Sequence, residues 1–316
     1  MGKNYSFLQF KSIKQNMLLR INILLFSVLT MLIFMSSSID AAAQINYTIS
    51  KSHNAPNPVP SGQPFTYTLT YGWSGGAPGT IYITDTIPST LDVISAAPSS
   101  PVSNISGNIV NFTLSNLNMP SGSGTVQINV RFKPGVTCEG ETACNIAYIN
   151  DDPERNEWIS SQETCVTAAK PENKWQFKKE LFAGCAIDNE VIFRISITDP
   201  SGSNIGGLNL TNINLEDLLP ANAVITNVSN WWSGPSNTTS NGTSWIPLTG
   251  GPTNLQVSPY YQFYVTYVSV EFPSPDFSVG QTVENIAKLE FKTPCDNETQ
   301  TWLDTASVEL CQGFQD

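Results

Sequence analysis

The sequence predicts an all-β protein: two tandem Ig-like β-sandwich domains behind a cleaved signal peptide. Three observations carry that expectation. First, apolar residues alternate with polar ones at period two, the pattern of strands with one face on a core and one in water. Second, turn clusters such as "WSGGAPG", "APSSP" and "MPSGSG" separate these runs. Third, the second half repeats the first. An Asp stands three residues before a Pro in "ITDTIP" (Asp85, Pro88) and again in "LEDLLP" (Asp217, Pro220), 132 residues apart (217 − 85). The tripeptide "NIA" then falls thirteen residues after Phe132 and after Phe272 (145 − 132 and 285 − 272). Equal spacing in both halves marks an internal repeat, which has to be recognised before the fold can be read.

The elements follow in order. Residues 1–43 have a basic lead (Lys3, Lys11, Lys14, Arg20), an apolar run from Ile21 to Met35, and small residues ending in "AAA". This is the layout of a secretory signal peptide cleaved after Ala43. The apolar run is short for a bilayer span, and the small-residue exit favours cleavage over an anchor. Cleavage takes Lys+Arg from 15 to 11 and Asp+Glu from 26 to 25, so the net charge moves from −11 to −14. Such a surface repels nucleic acid and anionic membranes. The expected partners are therefore an extracellular protein or a glycan, not nucleic acid, with no stable membrane insertion after cleavage.

Residues 44–168 read as the first sandwich. "PFTYTLTY" puts Phe65, Tyr67, Leu69 and Tyr71 on one face; "NIVNFTL" does so for Val110, Phe112 and Leu114; "TVQINVRF" for Val126, Ile128, Val130 and Phe132. Residues 169–174, in "AAKPENK", form a linker. Residues 175–316 read as the second sandwich, opening on "NEVIFRISIT" with Val191, Phe193, Ile195 and Ile197 inward. Seven or eight short strands per repeat, spaced by turns, suit two packed antiparallel sheets. In each Asp-x-x-Pro corner, Asp85 or Asp217 is expected to end a strand and bond its own downstream backbone, while Pro88 or Pro220 stops the ladder.

"GQPFTYTLTY", "ITDTIPSTLDVIS", "VNFTLSNLNMPSGSGTVQINVRFKPG" and "NIAYI" together resemble the DUF11 repeat, an Ig-like sandwich of bacterial secreted and cell-surface proteins. The resemblance is close over residues 46–168. It is weaker in the second repeat, which carries the insertion "NWWSGPSNTTSNGTSW" and a longer last hairpin. It implies an extracellular structural or adhesive module with no established catalytic residues. Asp85, Pro88 and Asn145 match family positions, which the resemblance implies are structural.

Candidate chemistry is sparse. His53 is the only histidine, no G-x-S-x-G surrounds a serine, and the carboxylates show no specific pairing, so an enzyme is not expected. With no CxxC and one His, zinc is not expected either. The single cofactor to weigh is Ca²⁺, for which Asp151, Asp152 and Glu154 in "NDDPERNE" offer hard oxygen ligands. The same residues suit an ordinary solvated hairpin turn. Aromatics crowd the second repeat. Trp231, Trp232, Tyr260 and Tyr264 could stack on sugar faces, or could simply pack in strands.

The six cysteines all follow the leader, where an exported chain forms disulfides. Cys144 and Cys165 fall opposite each other if "NIAYI" and "WISSQETCV" form a hairpin, and counting strands puts Cys185 beside Cys295. That leaves Cys138 and Cys311, one per repeat, for an inter-domain bridge; a Cys138–Cys144 loop competes. Isopeptide crosslinks in some Ig-like surface domains need a Lys, an Asn or Asp, and an acid buried together. Lys178, Lys179 and Asn285 supply the residue types, but their spacing singles out none. The expected role is a non-enzymatic secreted or cell-surface structural or adhesive protein; the alternative is a carbohydrate-binding module using the aromatics of the second repeat.

Overall fold

A computed structural model describes residues 22, 25–27, 45–98, 103–154, 157–183 and 190–311. The predicted signal peptide lies almost entirely outside the described residues, as does Cys185. Among the described residues no helix is long and apolar enough to cross a membrane.

The first half runs through β1 (Asn46–His53), β2 (Phe65–Ser74), β3 (Gly79–Thr86), β4 (Leu91–Ala97), β5 (Ser103–Ser106), β6 (Ile109–Leu117) and β7 (Ser121–Phe132). Four short strands follow: β8 (Thr142–Asn145), β9 (Ala147–Asn150), β10 (Ile159–Ser160) and β11 (Thr164–Thr167). The second half begins with β12 (Gln176–Ala183), β13 (Glu190–Asp199), β14 (Leu210–Leu218) and β15 (Val224–Asn230). It continues with β16 (Thr238–Thr239), β17 (Ile246–Leu248), β18 (Asn254–Leu255), β19 (Gln262–Glu271), β20 (Thr282–Thr293) and β21 (Asp296–Glu309).

Each half is built on two packed antiparallel sheets, to which the first half adds the two-stranded sheet β11-β8, and the two halves share one plan. The sheet β1-β2-β7-β4 of the first corresponds to β12-β13-β19-β15 of the second, which β16 extends. Opposite them lie β10-β9-β3-β6-β5 and β17-β14-β20-β21. The repeat therefore holds at the level of strand order. The first strand is an edge of one sheet, and the Asp-x-x-Pro strand pairs with the "NIA" strand in the other.

The period-two residues supply both cores. Phe65, Tyr67, Leu69, Val110, Phe112, Val126, Ile128, Val130 and Phe132 are buried in the first; Val191, Phe193, Ile195, Ile197, Val268, Val270 and Phe272 are buried in the second. Each such side chain contributes roughly 1.5–3 kcal/mol through burial. The strand count among the described residues differs from expectation: eleven and ten, not seven or eight. The extra strands are short edge pieces. One comes from "NIAYI", expected to be a single strand, which breaks at Ile146. The part before the break pairs with β11 and the part after it with β3 and β10.

The linker is stitched down on both sides. Val59 bridges Ala168 in parallel, Gly135 bridges Leu208, and Glu172 bridges Gly207. The Gly206 N–H donates to the Ser61 carbonyl at 2.7 Å, and the Asn209 N–H donates to the Gly135 carbonyl at 2.9 Å. Close approach here demands glycine. Gly62 has φ +75°, and a Cβ on it would lie 2.5 Å from the Asn204 carbonyl oxygen of the second sandwich. Gly62→Ala should therefore wedge the domains apart, on top of the roughly 1–2 kcal/mol that a left-handed backbone costs any L-residue. The expected readout is a broadened inter-domain distance distribution between spin labels; an unchanged distribution would show that the junction yields without cost.

Candidate functional site

The alternation of β1 places Tyr47, Ile49 and Lys51 on its inward face, so a lysine occupies a position made for an apolar residue. The same happens in β12, where Lys179 follows Phe177. In the register of each sheet, Lys51 stands opposite Leu69 and Lys179 opposite Ile195. Both lysine side chains are fully buried.

Their partners are the Asp residues of the two corners. Lys51 Nζ donates to Asp85 Oδ2 at 2.5 Å, and Lys179 Nζ donates to Asp217 Oδ1. Asp85 and Asp217 have no solvent exposure. The expectation that each aspartate caps its own turn is thus corrected. The turns close through backbone bonds to the carbonyls of Pro88 and Pro220, donated by Leu91 and Ala223, while the carboxylates face inward. Alternation explains the correction: Ile81, Ile83 and Ile87, buried neighbours of Asp85 at even spacing, share its face.

The third member is the asparagine of "NIA". Asp85 pairs with Ala147 and Asp217 with Ala287 in the ladders, so Asn145 and Asn285, two residues earlier, lie diagonally beside the carboxylates. Asn285 Nδ2 donates to Asp217 Oδ2 at 3.3 Å. Asn145 sits near enough to help hold the Asp85 charge, although its Nδ2 makes no hydrogen bond of regular geometry. Both asparagines are buried, and Asp85 Oδ1, Asn145 Nδ2 and Asn285 Oδ1 have no partner. Buried polar groups are nearly always satisfied, so orphans at corresponding places in two domains call for an explanation.

The electrostatics follow from burial. Loss of water pushes Lys51 down from 10.5 to about 8 despite the attraction of Asp85, and pushes the Asp85 carboxyl up despite Lys51 and Asn145. Lys179 is likewise lowered by burial, against the pull of Asp217 and Asp304. The first cluster is therefore biased toward the neutral amine–acid form relative to the same groups in water, and in the second the lysine is biased toward the neutral amine. An aromatic ring covers each amine: Tyr67 at 4.2 Å from Lys51 Nζ and Phe193 at 5.2 Å from Lys179 Nζ, ring centroid to nitrogen.

The remaining expected residues are placed as follows. Lys178 points to solvent and pairs with Glu180 at 2.9 Å, so it belongs to no cluster. Trp231 is 52% exposed and Tyr260 76%, but Trp232 is 3% exposed and packs in the second core, which removes it from any sugar platform. Successive residues of an extended chain point to opposite faces, so one Trp of the pair turns inward. Tyr264 is half-buried and meets Trp231 edge-on, at 65° between planes. A shallow trough of about 480 Å³ is lined instead by Asn230, Trp231, Phe263, Val265 and Tyr267. Phe263 and Tyr267 lie on β19, in the run "YYQFYVTYVSVEF", which is apolar on both faces, so alternation alone does not mark which of its rings face outward.

Asp151, Asp152 and Glu154 lie in a self-bonded turn. Asn150 Oδ1 accepts from the backbone of Asp151 and Asp152, Asp152 Oδ1 accepts from Glu154, and Asp151 Oδ2 accepts from the Tyr47 hydroxyl. Among the described residues, the group of His, Cys, Asp and Glu close enough to share a metal ion is Cys144, Glu163 and Cys165, and its cysteines are disulfide-bonded.

Cys144 and Cys165 face each other across β8 and β11. Cys295 bonds to Cys138, not to Cys185. Counting strands treated each repeat as a closed unit. The stitched junction instead brings the last hairpin of the second sandwich against the 136–141 loop of the first. Cys311, expected in the inter-domain bridge with Cys138, is disulfide-bonded elsewhere.

No protein-family model matches the chain, and neither does any curated protein. Solved structures give distant likenesses. BcpA, the major pilin subunit of Bacillus cereus, is 12% identical with a TM-score of 0.34, over 81% of this chain and 65% of that one, so the chain spans just under two thirds of that pilin. The Enterococcus faecalis adhesin ACE is 10% identical with a TM-score of 0.28, over 86% and 96%. The collagen adhesin from S. aureus is 11% identical with a TM-score of 0.26, over 84% and 93%.

Proposed function

We propose that the chain is a non-enzymatic structural or adhesive protein of the cell exterior, in which two sandwiches act as one stiff spacer. The observation that carries this reading is the junction. Tandem domains ordinarily move against each other on a free linker. Here backbone hydrogen bonds at Ser61 and Gly135 and the Cys138–Cys295 disulfide fasten the two bodies directly. Disulfides also fit an oxidising exterior, and the acidic surface suits an exposed, soluble rod. Spin labels placed one in each sandwich should give a single narrow distance distribution, unchanged by viscosity. A broad distribution, as for two beads on a string, would sink the spacer reading.

The trough beside Trp231 favours a second reading, glycan binding. Trp231 and Phe263 offer exposed ring surface, and Asn230 offers an amide within the same lining. Aromatic faces with adjacent polar tips are suited to the mixed surface of sugars. On this reading, an oligosaccharide from a glycan array quenches tryptophan fluorescence, and Trp231→Ala abolishes its binding without lowering the melting temperature. Retention of binding in that variant would remove the trough from consideration.

A further inference from the structure

We infer that each sandwich closes an amide crosslink between its buried lysine and asparagine: Lys51 to Asn145 in the first, and Lys179 to Asn285 in the second, with Asp85 and Asp217 as proton carriers. The inference does not depend on the spacer reading.

Several independent observations converge on it. The two clusters occupy matching places: the lysine on the edge strand of one sheet, the aspartate on a strand of the other, and the asparagine two residues before the alanine that pairs with that aspartate, although in the first sandwich the chain breaks at Ile146 and Asn145 ends β8. A charged lysine at an apolar position is costly twice over, and a simple ion pair would serve folding no better than apolar residues of similar volume. Asp217 touches both the amine and the amide nitrogen of Asn285 through its two oxygens, so one carboxyl can serve nucleophile and leaving group together. The amide oxygen of Asn285 and the amide nitrogen of Asn145 are left without partners in the core. Finally, Tyr67 and Phe193 shield the amines from water, which keeps them from being solvated as ammonium ions.

The chemistry balances without any outside reactant. A proton moves from the lysine ammonium to the aspartate, giving a neutral amine and a carboxylic acid. The lone pair of Nζ attacks Cγ of the asparagine, a C–N bond forms, and the carbonyl electron pair shifts to Oδ1. The aspartic acid delivers its proton to Nδ2 and takes one from Nζ. The intermediate collapses, the Cγ–Nδ2 bond breaks, and ammonia departs with the proton it received. The departing ammonia takes the remaining proton from the aspartic acid and leaves as ammonium, so a lysine ammonium and a primary amide become a secondary amide and one ammonium ion, and the aspartate returns to its starting carboxylate form.

The test uses the mature chain, reduced and denatured, weighed intact and then mapped by proteolysis. The expected result is a mass short by two ammonias, with one branched peptide joining the Lys51 and Asn145 segments and another joining Lys179 and Asn285. Asn145→Ala and Asn285→Ala should each restore one ammonia, and Asp217→Ala should leave the second crosslink unformed. The wild-type mass decides the matter even if a variant fails to fold. A mass with no ammonia lost, or ammonia lost while all four segments are recovered as linear peptides, overturns the inference.

Discussion

Lys179→Met is expected to lower the stability of the second sandwich by about 3–5 kcal/mol, the usual consequence of stranding one partner of a buried pair. For a domain of this size that corresponds to roughly 10–20 °C in melting temperature. The reasoning rests on exposure. The Lys179 and Asp217 side chains have none, so water cannot replace the lost partner. The variant leaves a carboxylate facing Asn285 and the apolar core. Adding Asp217→Asn removes the stranded charge while keeping an acceptor for the Asn285 amide. Calorimetry should then show partial recovery if the ion pair was the main contribution. No recovery would mean that the loss came from something the pair alone does not supply, as it would if a covalent tie between the sheets were gone. A melting temperature unchanged by Lys179→Met would contradict the buried pairing itself.

The second large effect concerns the junction. Cys138 and Cys295 are separated by 157 residues. In the chain-entropy view, closing a loop of that length restricts the unfolded ensemble by an amount worth about 5 kcal/mol. The bond also joins two bodies that each have a core of their own, so it couples their unfolding. The double variant Cys138→Ser/Cys295→Ser should give two separate calorimetric transitions at lower temperature, where the parent gives a merged one. The paired substitution avoids leaving a reactive thiol. An identical thermogram would show that the backbone contacts at Ser61 and Gly135 already fasten the domains.

The fold was written in the period-two pattern because burial of alternating residues is what a sandwich needs. The inward faces of β2, β7 and β13 fell where alternation put them. The buried clusters were legible too, but only as violations of that pattern. Tyr47, Ile49, Lys51; Ile81, Ile83, Asp85, Ile87; and Val283, Asn285, Ala287, Leu289 each hold one polar residue at a position the alternation assigns to the core. A single misplaced lysine looks like noise. Three such residues matched by three more in a second copy do not. What alternation cannot give is which strands become neighbours, so it could not bring Lys51 to Asp85 and Asn145. It also could not place Trp231 and Phe263, since a strand apolar on both faces hides which face is covered. The pairing of Cys295 depended on how two domains dock, and no pattern within either repeat encodes that.

The Cys138–Cys295 bond has a further consequence for a chain exposed to proteases. Residues 169–174, the backbone connection between the sandwiches, lie inside the segment that this bond encloses. Cutting the backbone there opens the ring but leaves both halves attached, and the contacts at Ser61 and Gly135 remain to hold their orientation. Separation requires a second event of a different chemical kind, reduction of a disulfide. A nick between the domains would therefore appear on a reducing gel as two fragments, while the molecule in solution kept its length and its reach.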